Sequence, residues 1–275
     1  MAIENTYEQV YNIKEDEGLP ARVALVVCVL LQRGLFIAGF SITKELLTIH
    51  YSGYNANRPV WDIGFFEQVF ASEPLLTTRE KIKGVFVSSS KNMVVPDELY
   101  GEAEAKSWLK RLFYIEARDL INILQLENDK ARYVYATPVD VAELIKINFK
   151  KALLLPLAAY HFDTDQVQSL HLQCCISSEQ VVATLHNYSQ LLWHKAFDYS
   201  CAEDIAYEIR HLCKENYIDA AKLNVACNAF SAAEYDVINE LTQYFPGIKA
   251  GNGRTLHAQW DPAIFLAAQL LECVL

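Results

Sequence analysis

At 275 residues, with 52% hydrophobic and 21% charged side chains, the chain is long enough for one large α/β domain or two medium lobes and too apolar for a disordered segment. Its 34 Asp and Glu against 24 Lys and Arg give a formal net charge of -10, which repels a phosphate backbone and argues against a nucleic-acid partner. No apolar run approaches the roughly 20 residues that a spanning helix needs, so no membrane span is expected. The acidic N-terminus, MAIENTYEQVYNIKEDEG, has neither a basic nor an apolar signal region, and the mature chain is expected to begin there. Seven cysteines (Cys28, Cys174, Cys175, Cys201, Cys213, Cys227 and Cys273) form no CxxC pair and sit mostly in apolar segments. They read as reduced core residues of a cytoplasmic protein.

Residues 1–20 are polar and end in Gly18-Leu19-Pro20, as a leader segment that pairs on a sheet edge or lies over the surface. Regular structure is expected from Arg22. Three β-rich stretches, 22–31, 35–43 and 46–52, are broken only by Gln32-Arg33-Gly34 and Lys44-Glu45, which demands antiparallel hairpins. Phe65, Phe66, Val69 and Phe70 then form one apolar helical stripe behind Asp62 as N-cap. A strand over 82–90, a helix over 102–114, a strand over 131–137, a helix over 138–149 and a short strand over 152–155 follow.

The second half repeats this order. Stretches 168–177, 180–187 and 190–200 are β-rich, and Ile205, Ile209 and Leu212 mark a helix over 202–217. A strand over 221–230 leads to a helix over 231–245, with Ser231 and Glu234 as a capping box. A short strand over 248–250 and a helix over 261–275 complete the chain. The unit β-β-β-α-β-α-β-α therefore occurs twice, Arg22 and Gln168 lying 146 residues apart.

This order is similar to the duplicated ribonuclease-H-like lobes of the actin-like ATPase superfamily. The stretches RVALVVCVLLQRGLFIAGFSITKELL and QSLHLQCCISSEQVVATLHNYSQLLWHKAFDYS resemble an uncharacterised bacterial family, a domain of unknown function with an actin-like ATPase fold. The resemblance covers about 20 to 275. It implies an α/β fold of two ribonuclease-H-like lobes, each a mixed sheet of three antiparallel strands plus alternating helices and parallel strands. Residues 1–20 would be the leader, 21–165 the first lobe and 166–275 the second. It also implies ATP with Mg between the lobes, held by an Asp-x-Gly with Ser or Thr at the first hairpin of each lobe.

The sequence departs from that motif at both hairpins. Leu31-Gln32-Arg33-Gly34-Leu35 carries no carboxylate and no hydroxyl, which leaves Arg33 and Gly34 as candidate anion contacts. Cys175-Ile176-Ser177-Ser178-Glu179 offers hydroxyls and one acid but no glycine for close backbone approach. Asp62-Ile63-Gly64 precedes a helix and is explained by capping. The superfamily's adenosine glycine pair, late in the second lobe, is matched in place by Gly251-Asn252-Gly253-Arg254. These four join Arg33 and Gly34 as candidate nucleotide-binding residues, beside the ordinary reading of Asn-Gly as a tight turn.

No GxxxxGK[ST], GxSxG, HExxH or strand-linked GxGxxG occurs, so no catalytic residue is assigned. Asp163 and Asp165 lack a third metal ligand and read as a solvated linker, and His171 with Cys175 falls short of the four ligands of a structural zinc site. Lys106, Lys110 and Arg111 beside Glu102 and Glu104 read as a solvated helix face, and the four tryptophans as core. The C-terminal helix, apolar around much of its circumference, is either a central packing helix or a subunit contact. The expectation is a non-catalytic or degenerate actin-like protein that acts as a binding or assembly module for a protein partner, a homodimer among the options. The alternative is a divergent ATP-binding protein with nucleotide in the interlobe cleft. A carboxylate nuclease has no acids on 23–31 or 170–176 to support it.

Overall fold

The most apolar segment of the chain, Leu25–Leu31, forms strand β2, and its near-complete burial on both faces makes it a central strand. This computed structural model describes residues 6–13, 19–126, 130–162, 169–188, 190–250 and 258–275. Around β2, strands β1 (Thr6–Asn12), β3 (Gly34–Phe40), β4 (Leu46–Tyr54), β5 (Ile82–Val87) and β9 (Leu153–Pro156) complete a six-stranded sheet in the order β1-β4-β3-β2-β5-β9. β1, β4, β3 and β2 pair antiparallel, whereas β5 lies parallel to β2, and β9 parallel to β5. The N-terminal segment therefore contributes an edge strand before the short helix α1 (Leu19–Arg22).

The parallel connections need crossovers, and helices supply them. α2 (Ile63–Ser72) and the single turn α3 (Pro74–Thr77) carry the chain from β4 to β5, and α5 (Val139–Asn148) precedes β9. Asp62 caps α2 by accepting from Phe65 N, as its sequence position predicts. One face of the sheet is sealed by Phe65, Phe66 and Phe70 of α2 and by Val141 and Leu144 of α5, packed on Val26, Cys28, Leu30, Leu35 and Ile37.

The first half departs from the expected unit between β5 and α5. Strands β6 (Asn92–Pro96), β7 (Leu120–Leu126) and β8 (Ala131–Thr137), with helix α4 (Glu102–Leu112), build a separate antiparallel sheet in the order β6-β8-β7. The helix at 102 and the strand at 131 thus belong to an inserted sheet and not to the main one. Periodicity reports that a strand has a buried face; it does not report which sheet that face joins. After β9 the first half ends in a 3₁₀ turn, Leu157–His161, where the second half has a full helix.

The second half follows the expected order throughout. β10 (Leu170–Ile176), β11 (Gln180–Asn187), β12 (Gln190–Asp198), α6 (Ala202–Glu215), β13 (Asn224–Ala229), α7 (Glu234–Leu241), β14 (Lys249–Ala250) and α8 (Asp261–Glu272) give a sheet ordered β12-β11-β10-β13-β14. α7 begins three residues later than its capping box suggests, because Ser231 to Ala233 form a turn before the first helical residue. The expected lobe junction at 165/166 lies outside the described residues.

α8 settles the choice left open for the C-terminal helix. It lies between the two larger sheets, touching β2, β4 and β5 on one side and β13 and β14 on the other. Leu266, Ala267 and Leu270 join Val29 and Phe36 of the first sheet and Cys175 and Val182 of the second in one buried cluster. At Gly84 on β5 a Cβ would stand 2.5 Å from Val274 Cγ1, so the end of the chain sits directly on that strand. Gly84→Val is therefore expected to lower unfolding stability by roughly 1–3 kcal/mol through overpacking, read from urea denaturation midpoints.

Candidate functional site

The first hairpin turn of the six-stranded sheet and the first hairpin turn of the five-stranded sheet meet. Gln32-Arg33 joins β2 to β3, and Ser177-Ser178-Glu179 joins β10 to β11. Arg33 Nε donates to Glu179 Oε2 at 2.7 Å across a sequence separation of 146, so the ion pair links equivalent positions of the two repeats. Arg33 is largely enclosed, at 14% side-chain exposure, while Glu179 is 46% exposed. The guanidinium is used further: Nη1 donates to the carbonyls of Asn55, at 3.4 Å, and of Arg58.

Both turns are held from behind. Gln32 O accepts from Tyr54 Oη at 2.8 Å and from Trp61 N at 2.8 Å. Trp61 adopts a φ of 58°, a left-handed conformation costing a non-glycine residue about 1 kcal/mol, and thereby directs its N–H at the turn. On the opposite side Tyr199 Oη donates to Ser177 O at 2.7 Å and Tyr199 N to Glu179 O at 3.2 Å. Ser88, after β5, bridges directly to Gln180, its Oγ lying 3.3 Å from Gln180 Oε1.

The space that remains between the turns is about 20 Å³, lined by Gln32, Arg33, Ser88, Ser178, Glu179 and their neighbours. That is room for about one water, against roughly 300 Å³ or more for an ordinary small-molecule site. Gly34 leaves no cradle for an anion either. A Cβ there would lie 3.0 Å from Tyr51 Oη and 3.0 Å from Ser52 O, so a tyrosine hydroxyl already fills the space that the glycine opens. With Arg33 paired to a carboxylate and Glu179 turned to the same point, the described turns do not fit a phosphate in this arrangement. Gly251, Asn252, Gly253 and Arg254 lie outside the described residues, as do Asp163 and Asp165.

Behind the turns is a polar cluster whose members lie far apart in the sequence. Tyr51 is buried beside Tyr7, ring centroids 5.9 Å apart, and burial, reinforced by the charge of Glu234, pushes its hydroxyl pKa well up. Glu234 is 3% exposed and accepts from Ser231 N at 2.9 Å and Ser231 Oγ at 2.6 Å. Burial raises its carboxyl to about 7 even against these hydrogen bonds. Gln9 of β1 reaches the same turn, its Oε1 accepting from Ala232 N at 3.1 Å. Glu234 was legible only as a helix cap; its second role, as a buried acid between the sheets, had no local signal.

A second buried cluster joins other elements of the fold. His161, from the 3₁₀ turn after β9, and His194 of β12 each place Nδ1 2.7 Å from Thr184 Oγ1 of β11. One hydroxyl carries one hydrogen, so Thr184 donates to one ring and accepts from the other. Tyr133 of the inserted sheet stands edge-on to His194, centroids 5.2 Å apart, so three sheets converge here. Among the described residues no group of three or more His, Cys, Asp or Glu side chains is disposed to hold a metal ion, and no helix is long and apolar enough to cross a membrane.

Two mixed sheets built on one strand order, facing each other across a shared helix with their first hairpins opposed, define the actin-like ATPase fold. The chain belongs to the family described as "Protein of unknown function (DUF3822)", whose model matches residues 33–248. Among solved structures it is similar to a protein of Bacteroides thetaiotaomicron VPI-5482 with an actin-like ATPase fold and unknown function. That likeness has 11% identity, covers 92% of this chain and 99% of the other, and has a TM-score of 0.71. It is also similar to a chain of the PilM-PilN type IV pilus biogenesis complex, with 13% identity, 92% of this chain and 99% of that one covered, and a TM-score of 0.56. At these identities the likeness is one of fold. No curated protein matches the chain in sequence.

Proposed function

We propose that this protein is a non-catalytic member of the actin-like fold that acts as a binding and assembly module in the cytoplasm, its two larger sheets clamped by protein contacts where the actin-like resemblance implies a nucleotide. The observation that carries the reading is the Arg33–Glu179 ion pair at 2.7 Å, made by equivalent turns of the two repeats over a cavity of about 20 Å³. Fold alone does not fix function; these side chains do the discriminating. The similar chain of the pilus biogenesis complex, which occurs together with another protein, supports assembly as a use of this fold. Seven free cysteines, five of them buried, support a reducing compartment.

The test is a thermal unfolding scan with millimolar Mg-ATP or Mg-ADP. A ligand at about 100 times its Kd adds roughly 2.7 kcal/mol to the folded state, a shift of several degrees. No shift is expected for the native chain. A rise of several degrees that Arg33→Ala abolishes, in a variant that still unfolds cooperatively, would replace this reading with a nucleotide-binding one.

A further inference from the structure

Open β-sheets carry exposed edges, and proteins blunt them with charge, proline, bulges or short length, because an unprotected edge recruits another strand. Three sheets present six edges among the described residues, and five are blunted. β1 carries the exposed Glu8. β9 has only four residues and ends in Pro156, and β14 has two. β12 carries Lys195 and Asp198 and pairs with β11 through an irregular register, while β6 ends in Pro96 and packs against β12.

β7 has none of these devices. Its seven residues, LINILQL, contain no charge, proline or glycine, and its pairing with β8 runs without a register shift from Leu120 to Leu126. No described strand pairs with its outer side. Leu120 is 44% exposed and Ile123 42% exposed, so apolar side chains as well as backbone groups face solvent along this edge. We infer that the free edge of β7 is an interface for a second copy of this chain, paired antiparallel through β7 across a two-fold axis at Ile123.

Three features select a second copy as the occupant. Copies of a chain with net charge -10 repel each other, so self-association requires a contact that brings no like charges together, and β7 carries no charge at all. A two-fold axis at Ile123 sets Leu120 opposite Leu126 and Ile121 opposite Gln125. It keeps odd-numbered residues on one face and even-numbered residues on the other in both copies, so the inner faces of the two sheets stay continuous. The exposed Glu116 before the strand and the exposed Lys130 after it then fall at opposite ends, so the two-fold axis turns each copy's Glu116 toward the other's Lys130. The product is a six-stranded sheet, β6-β8-β7 continued by β7-β8-β6. This inference goes beyond the clamp at Arg33 and stands independently of it.

Sedimentation of the whole chain at tens of micromolar tests the interface. The native chain is expected at twice the single-chain mass, and Ile123→Lys, which brings two cations face to face on the axis, at the single-chain mass with an unchanged far-UV spectrum. A native chain of single mass overturns the inference, as does a folded Ile123→Lys chain that keeps the double mass. A second measurement reads the register without depending on that variant. In a Cys201→Ser background, which removes the exposed thiol, oxidised Ile123→Cys is expected to form a cross-linked dimer and Leu120→Cys is not. Cross-linking at neither position, or equally at both, would overturn the pairing.

Discussion

Acidification from about pH 7 to about pH 5 is expected to weaken the folded state by roughly 4 kcal/mol, a large part of the 5–15 kcal/mol typical of a folded protein. The cause is the histidine cluster around Thr184. Burial, with the neighbouring His171, lowers His186 to about 4; burial, with His186, lowers His194 to about 3; and burial holds His161 well below the usual histidine range. Below about pH 6.5 the unfolded chain takes up protons that these rings refuse while folded, so stability is lost as pH falls, at about 1.4 kcal/mol per histidine per pH unit. Glu234 works in the opposite sense across this window, which leaves a net of about two such increments. Urea denaturation at stepped pH measures the slope. His161→Asn, which keeps a nitrogen or oxygen for Thr184 but cannot titrate, should flatten it by about one increment. A stability that stays level between pH 7 and pH 5 would mean that the rings take up protons inside the fold.

Glu234→Gln is expected to stabilise the protein by roughly 3 kcal/mol above pH 7 and to leave it unchanged near pH 4. With its folded pKa raised to about 7 by burial, Glu234 keeps a proton that the unfolded chain has already lost from about pH 4.5 upward. Stability from this group therefore falls as pH rises through that window, and the full deficit is present above the folded value. A glutamine oxygen accepts from Ser231 N and Oγ as the carboxylate does, so the change removes the buried charge while keeping its partners. The difference in denaturation midpoint between variant and native chain at pH 4 and pH 8 decides the matter. A variant less stable at both would show that a cation reaches the carboxylate from a neighbouring element.

The succession of elements and the repeat were legible because each half announces itself by period: continuous apolar runs such as Leu25–Leu31, short breaks at Gln32-Arg33-Gly34 and Ser178-Glu179, and stripes such as Phe65, Phe66, Val69 and Phe70. The inserted sheet was not legible. β6 is short and proline-ended, β7 lacks a clean alternation, and β8 reads like any buried strand, so nothing local separates a strand of the insertion from a strand of the main sheet.

At the site, the sequence by itself determined the parts: an arginine at the first turn of one repeat, a glutamate at the first turn of the other, no aspartate motif at either, and a helix apolar enough to be enclosed. Tertiary structure decided that the arginine and the glutamate meet, that Tyr51 fills the space beside Gly34, that the terminal helix lies between the sheets, and that no described strand pairs with the outer edge of β7. The division has a physical reason. Propensity, capping and turn chemistry act over a few residues and are written in order along the chain, whereas ion pairing, burial of a carboxylate and exposure of an edge depend on which distant surfaces the fold brings within a few ångströms.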